Sequence, residues 1–199
     1  MRRAVPISIG FLVVFAVVVG LLQASDNGKT PEAPRFDLQA ALGSLNGAPA
    51  PLASLHAQAA KLLDGGTPAF KARLKALRGH PIVVNKWGSW CGPCRTEFPV
   101  FQRVGAARGK TVAFLGIDGH DNRGDAADFL REFPTTYPSY VDPDEKISNA
   151  VGAPANYPIT VFIDERGKTA FIHQGQYRRD AELEADIDRY LVVGGAASA

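Results

Sequence analysis

The stretch VVNKWGSWCGPCRTEFP, residues 83–99, decides how the rest of the chain is read. It holds Cys91 and Cys94, the only two cysteines among 199 residues. Three chemistries are open to such a pair. A structural disulfide between them closes a loop of about four residues and contributes about 1.9 kcal/mol, against roughly 3 kcal/mol for a loop of about 15 residues. That is a weak staple for a chain of this size. A zinc site needs about four ligands, and His56, His80, His120 and His173 are scattered, with no pair at metal spacing. A redox dithiol asks for less. The first sulfur sits at the start of a helix, where unpaired backbone N–H groups stabilise a thiolate. The second lies within the first turn, close enough to attack a mixed disulfide formed on the first.

Working outward, the context favours the redox reading. Ile82, Val83 and Val84 form a short apolar, β-branched run of the kind found in strands buried on both faces. Residues 112–118, VAFLGID, form a second. Between them, Cys91 to about Ala107 reads as a helix with Phe98, Phe101 and Val104 apolar. Strand, helix and strand at this spacing make a βαβ unit with a parallel pair, which is the setting a redox Cys-x-x-Cys needs.

The flanks extend the pattern. Leu52, Leu55, Ala59 and Leu62 share one helical face, and Gly65-Gly66 stops that helix. Thr67 is placed to cap the next helix, with Pro68 in its first turn and Gly79 at its end. Phe70, Leu74 and Leu77 lie on its buried face. A further helix is expected around residues 125–133, with Ala126, Phe129, Leu130 and Phe133 facing in. ITVFID and TAFIH flank a turn in which Gly167 takes the positive φ. Asp180 is placed to cap a last helix carrying Leu183, Ile187, Tyr190 and Leu191, and Gly194 to end it. The order is βαβ, helix, hairpin, helix: an α/β layout around a mixed sheet.

Apolar residues at 46% and charged residues at 21% fit a globular chain with a proper core. Without Arg2 and Arg3 the net charge of +2 falls to zero, and no basic stripe remains to support nucleic-acid binding. Val5 to Leu22 carries no charge and is near the length that crosses a bilayer. Arg2 and Arg3 before it predict an N-terminus in the cytoplasm and a main domain outside. A cleaved signal peptide is the rival, but Leu22-Gln23-Ala24 puts a large residue where a small one is wanted. Residues 1–25 are therefore expected to be a membrane anchor or signal peptide. Residues 26–50, rich in Asn, Gly, Pro, Ala and Ser, read mainly as a flexible tether, with one helical possibility at Phe36–Leu42. Residues 51–195 form the domain, led by a helical extension.

The stretch 83–99 resembles the active-site segment of the thioredoxin superfamily. More narrowly it resembles the membrane-anchored TlpA/ResA-like branch, which handles disulfides outside the cytoplasm. The resemblance covers roughly residues 66–193. It implies a thioredoxin-like fold, α/β with a central mixed β-sheet flanked by helices, here preceded by an N-terminal transmembrane helix. It implies a redox disulfide between Cys91 and Cys94. Asn85 stands where cytosolic thioredoxins have a buried aspartate that takes a proton from the second cysteine; an amide cannot ionise, so that route is absent. Glu97 matches a family glutamate one helical turn beyond Cys94, within reach of the sulfurs. A carboxylate in an apolar site has a raised pKa and can exchange protons with thiols. The plainer reading of Glu97 is a solvated residue paired to Arg95.

Pro158 matches the family's cis-proline opposite the Cys-x-x-Cys. The residue before it, here Tyr157 where many thioredoxins have Thr or Ile, offers its backbone to an incoming chain. Trp90, Gly92, Pro93, Tyr157 and Pro158 are thus the expected substrate-binding residues, with Trp87 packing under the loop. Lys86 departs from the aromatic residue common at its position, and Lys86 and Arg95 read as surface charges. Asp118, His120, Asp121 and Asp125 read as an acidic loop rather than a cation site.

No charge lies between the cysteines, unlike the histidine of strong oxidants, so a reductase is favoured. The dithiol carries the electrons itself, and neither cofactor nor metal is expected. Expected partners are disulfide-containing proteins, a transmembrane thiol carrier supplying electrons, and the membrane through the N-terminal helix. Family clients are often cysteines of apocytochrome c or of copper sites. The alternatives are a disulfide oxidase or isomerase for secreted proteins, and a copper-delivery protein with His173 as third ligand. A peroxidase fits less well, because the Thr-x-x-Cys of peroxiredoxins is missing.

Overall fold

β2 (Ile82–Trp87) is buried along its whole length, and the architecture follows from that strand. Its side chains alternate between two apolar layers. Val83 joins Phe101, Val104 and Phe114 on one face, while Val84 joins Phe70, Leu77 and Leu115 on the other. A strand so placed must have helices over both faces of its sheet. The computed structural model describes residues 35–192. The apolar run Val5–Leu22 and Gly194 lie outside them. Among the described residues no helix is long and apolar enough to cross a membrane.

In chain order come α1 (Leu38–Ser44), α2 (Ala50–His56), β1 (Leu62–Leu63), α3 (Gly66–Ala76) and β2. α4 (Gly92–Arg108), β3 (Ala113–Gly119), α5 (Arg123–Glu132), β4 (Ser139–Asp142) and α6 (Lys146–Ala150) follow. β5 (Ile159–Ile163), β6 (Thr169–Gln174) and α7 (Asp180–Ile187) complete the set, and α7 runs on into a π turn over Asp188–Val192. The six strands form one mixed sheet in the order β1-β4-β3-β2-β5-β6. β1, β4, β3 and β2 are parallel neighbours, while β5 runs antiparallel to both β2 and β6.

The βαβ unit and the hairpin stand where expected, and Gly167 has φ +81° in the hairpin turn. β1 and β4 were not expected. β4 is the parallel partner of β3 at Gly116↔Ser139, and β1 adds Leu62 opposite the same serine. Strands of two and four residues are too short to show a period. Gly116 permits this packing, since a Cβ there would run into Ser139 Oγ, which accepts the Trp87 indole N–H at 3.1 Å.

Several helix ends differ from expectation. The helix through Leu52 and Leu55 stops at His56, because Ala60 turns to φ +53° and Leu62 passes into β1. α3 starts at Gly66 behind Gly65 in the left-handed region, so Thr67 lies inside the helix rather than capping it. α7 is preceded by Arg179, and Asp180 is its first residue, held bidentately by Arg103. Glu182 takes the capping role, accepting the backbone N–H groups of Arg178 and Arg179. Within the segment read mainly as a tether, α1 is capped by Asp37, and Ala41 and Leu45 are buried.

One buried group carries an energetic cost. Asp118, opposite Trp87 in the register of β3 and β2, is buried, and neither carboxylate oxygen has a hydrogen-bond partner among the described residues. Burial raises its pKa to about 8, helped by the charges of Asp121 and Asp142. The folded state therefore holds a proton that the unfolded chain releases above about pH 4. Stability contributed by this group falls as pH rises toward 8. Asp118→Asn is expected to stabilise the protein, by an increment growing at up to about 1.4 kcal/mol per pH unit between pH 5 and 7. Urea denaturation at three pH values measures it; an increment flat with pH would contradict the assignment.

Candidate active site

Cys91 is the residue that caps α4. Its backbone is extended, with φ −86° and ψ 104°, and its sulfur accepts the N–H of Cys94 at 3.2 Å. Ser or Asp oxygen usually fills this place. Pro93 in the first turn removes a donor that would have lacked an intrahelical partner. The two sulfurs are joined as a disulfide with Cα atoms 5.2 Å apart. Cys94 is wholly buried and Cys91 nearly so, while Gly92 and Pro93 are exposed.

Beneath the sulfurs lies an aromatic floor. Trp87 stacks on Phe129 at 4.9 Å and meets Phe98 edge-on at 5.2 Å. With Cys91, Cys94, Ala126 and Leu130 they form one apolar cluster, against which Tyr157 packs. This is the packing role expected of Trp87.

Glu97 is not a solvated helix residue. It is fully buried, one turn beyond Cys94, and Arg95 pairs instead with Glu132 at 2.6 Å. Glu97 Oε1 accepts the Asn85 side-chain amide at 2.6 Å, and Oε2 accepts the Tyr177 backbone N–H at 3.2 Å. Burial raises its pKa to about 8, and those two hydrogen bonds pull the other way. The Asn85 oxygen has no partner among the described residues. A carboxyl that titrates close to the ordinary range of a thiol is suited to exchanging protons with one.

The Tyr157–Pro158 bond is cis, and Pro158 directly precedes β5. Tyr157 meets Trp90 edge-on at 4.8 Å, so the cysteine loop and the proline loop touch through two rings. Trp90 is 55% exposed, the one exposed large apolar residue among those described. Its indole N–H goes to the His120 carbonyl at 3.0 Å. Ser89 is held from below by Asp121, which accepts both its N–H and its hydroxyl.

The expected residues therefore converge: Cys91, Cys94 and Glu97 on one helix, Trp90, Tyr157 and Pro158 beside it, and Gly92 and Pro93 at the open edge. Lys86 is a correction. It is not a surface charge but is fully buried, with its ammonium 2.6 Å from Glu145 and 2.7 Å from the Pro154 carbonyl. The signal was a lone charge inside an apolar run. The acidic loop also divides differently. Asp118 is a buried end of β3, and Asp125 bonds the Asn122 that caps α5. His173 stacks on Tyr177 at 4.1 Å and faces Asp186, and it is not part of the cysteines' cluster. No group of three potential metal ligands forms among the described residues.

The chain is similar to known thiol–disulfide exchange proteins. The chain is 35% identical over 109 residues to the thiol:disulfide interchange protein DsbE of Xylella fastidiosa, a match covering 54% of each chain. It is 29% identical over 126 residues to the thiol-disulfide oxidoreductase ResA of Geobacillus thermodenitrificans, covering 60% of this chain and 66% of that one. The chain thus spans about half the length of the DsbE relative it matches. Among solved structures, a secreted Mycobacterium tuberculosis disulfide oxidoreductase homologous to E. coli DsbE superposes with a TM-score of 0.52 at 25% identity, over 58% of this chain and 85% of that one. This supports a thioredoxin-like α/β fold for the described domain. The AhpC/TSA family model matches residues 47–172, well over half the chain, and the protein belongs to that thioredoxin-like family.

Proposed function

We propose that the protein is a thiol–disulfide oxidoreductase that reduces disulfides in other proteins outside the cytoplasm, tethered by its N-terminal apolar run. The observation that carries this reading is the Cys91 sulfur in the cap position of α4, facing the Cys94 N–H and flanked by the cis-proline loop. A helix N-terminus stabilises a thiolate, and the exposed indole of Trp90 offers a contact for an incoming chain.

In the reduced protein the Cys91 thiolate attacks one sulfur of the substrate disulfide. That bond breaks, the other substrate sulfur leaves as a thiolate, and a mixed disulfide joins Cys91 to the substrate. Cys94 then loses its proton, with Glu97 as acceptor, and attacks Cys91. The bond from Cys91 to the substrate breaks, the second substrate sulfur departs as a thiolate that takes up a proton, and the Cys91–Cys94 disulfide seen in this structure is left. Two electrons pass from the dithiol to the substrate, and a thiol donor must restore them. A transmembrane thiol carrier fits that need, and the haem-binding cysteines of cytochrome c precursors fit the client. Gly92 and Pro93 add no charge to the thiolate's surroundings, which supports a reducing pair near the −270 mV or so of thioredoxin.

Cys94→Ser is expected to trap disulfide-linked partners on Cys91 when expressed in a native membrane, and mass spectrometry identifies them. Cytochrome-maturation proteins among the adducts support the reading; a broad set of secreted proteins, or an equilibrium potential near about −120 mV, would replace it with a disulfide oxidase.

Glu97 acts as a base only when ionised, so substrate reduction should accelerate as pH rises through about 8. Glu97→Gln is expected to slow turnover about 10- to 100-fold and to remove that rise. Asn85→Ala withdraws a hydrogen bond that favours the carboxylate, so the rise should move to higher pH. Steady-state rates between pH 6 and 9 test both; profiles identical to the wild type would exclude Glu97 from proton transfer.

A further inference from the structure

Lys86 and Glu145 meet behind the loop expected to hold substrate, in an arrangement that the redox chemistry does not require. The Lys86 ammonium has three donors. One points to Glu145 Oε1 at 2.6 Å, one to the Pro154 carbonyl at 2.7 Å, and the charge lies 4.1 Å from the centre of the Tyr157 ring. Glu145 Oε1 also accepts the Tyr157 hydroxyl at 2.6 Å, and Glu145 Oε2 lies 3.6 Å from His120 Nε2. His120 in turn offers its carbonyl to Trp90. One ion pair, with its lysine buried and its glutamate half-buried, thus touches both rings beside Cys91, Tyr157 directly and Trp90 through His120.

Two further observations set this cluster apart. Of the three non-glycine residues with positive φ among those described, His120 at +52° and Glu145 at +56° both belong to it. Such backbone costs energy in a residue with a Cβ and persists where its surroundings enforce it. Gly119 leaves the space, since a Cβ there would run into the Tyr157 hydroxyl. A buried ion pair contributes little to stability by itself, because desolvation offsets the attraction. Its effect is on geometry.

The orientation of the polar atoms identifies the ligand chemistry. The Tyr157 hydroxyl is bound to Glu145 and the Trp90 N–H to the His120 carbonyl, so each ring spends its one side-chain donor internally. What faces an incoming chain is ring surface. We propose that the Lys86–Glu145 pair is a positioning device that fixes Tyr157 and Trp90 as one apolar surface beside Cys91, and that it makes the protein prefer disulfides flanked by an apolar side chain. This rests on the oxidoreductase reading above and adds the substrate class to it.

The test uses the full-length chain and two disulfide-bonded peptides that differ only beside the cysteine, leucine in one and serine in the other. Wild type is expected to show a kcat/KM about tenfold higher for the leucine peptide, the effect of covering part of one apolar side chain. Lys86→Met is expected to raise KM for that peptide about tenfold, to change kcat less than about threefold, and to bring the two peptides within about twofold. Tyr157→Phe keeps the ring and loses only the hydroxyl bond; it should shift KM in the same direction by about threefold, and it decides the matter if Lys86→Met does not fold. A lysine with a purely structural role would lower the unfolding midpoint while leaving KM and the peptide preference intact. That result, or a wild type without preference, overturns the proposal. Bis(2-hydroxyethyl) disulfide, which has no flanking side chain, separates the two readings. If wild type reduces neither it nor the peptides, the oxidoreductase reading falls, and the preference is then read from equilibrium binding of the two peptides.

Discussion

A sulfur atom occupies the place where an oxygen usually caps a helix, and the rest of the site is arranged around that exchange. The first turn of any helix presents N–H groups without intrahelical partners. An oxygen cap satisfies one of them and is chemically finished. A sulfur cap satisfies it and remains reactive, because the same partial positive charge that holds the sulfur also favours its ionised form. The position is fixed by what surrounds it. β2 delivers the chain to the loop, Asp121 ties down Ser89, and Pro93 sets the φ of the first turn. The aromatic floor of Trp87, Phe98 and Phe129 keeps the buried side of the sulfurs dry.

Three ionisable groups are buried near this loop, and each meets the cost of desolvation differently. Lys86 is paired with Glu145 and donates a further hydrogen bond to the Pro154 carbonyl. Glu97 has hydrogen bonds but no counter-charge. Its pKa rises to about 8, leaving a group that can hold or release a proton near neutrality. Asp118 has neither, and its only relief is to remain protonated. The pairing of each group, more than its depth, sets how its burial is compensated.

Much of this was legible in the sequence, for reasons that also mark where reading stopped. The βαβ unit announced itself through two β-branched runs with a helical period between them. The hairpin did so through Gly167, and the redox pair through its spacing. These are local signals. β1 and β4 carry none: a two-residue strand exists only because Leu62 finds Ser139, which a linear reading cannot see. Thr67 was misassigned as a cap because Gly65, read as the stop of the preceding helix, turns into the left-handed region and starts α3 earlier. Lys86 was the sharpest miss. Its neighbours said buried and its charge said exposed, and only Glu145, far along the chain, reconciles them. Similarly, the partners of Glu97 come from β2 and from the segment before α7, so its surroundings are a property of the assembled fold.

The alternation of β2 separates two tasks that a redox site must perform together. Successive side chains of a strand point to opposite faces. Asn85 therefore reaches Glu97 on the α4 side, while Lys86, its immediate neighbour, reaches Glu145 and Tyr157 on the other. The Asn85–Glu97 hydrogen bond lies on one face of the sheet and the Lys86–Glu145 pair on the other. The cysteines stand at the strand's end, where both can act on them. Under the proposal, substitution at position 86 changes which disulfides are accepted, while the Asn85–Glu97 hydrogen bond lies on the other face. A single strand of six residues supports two separate polar contacts, and it does so because the period of a strand is two.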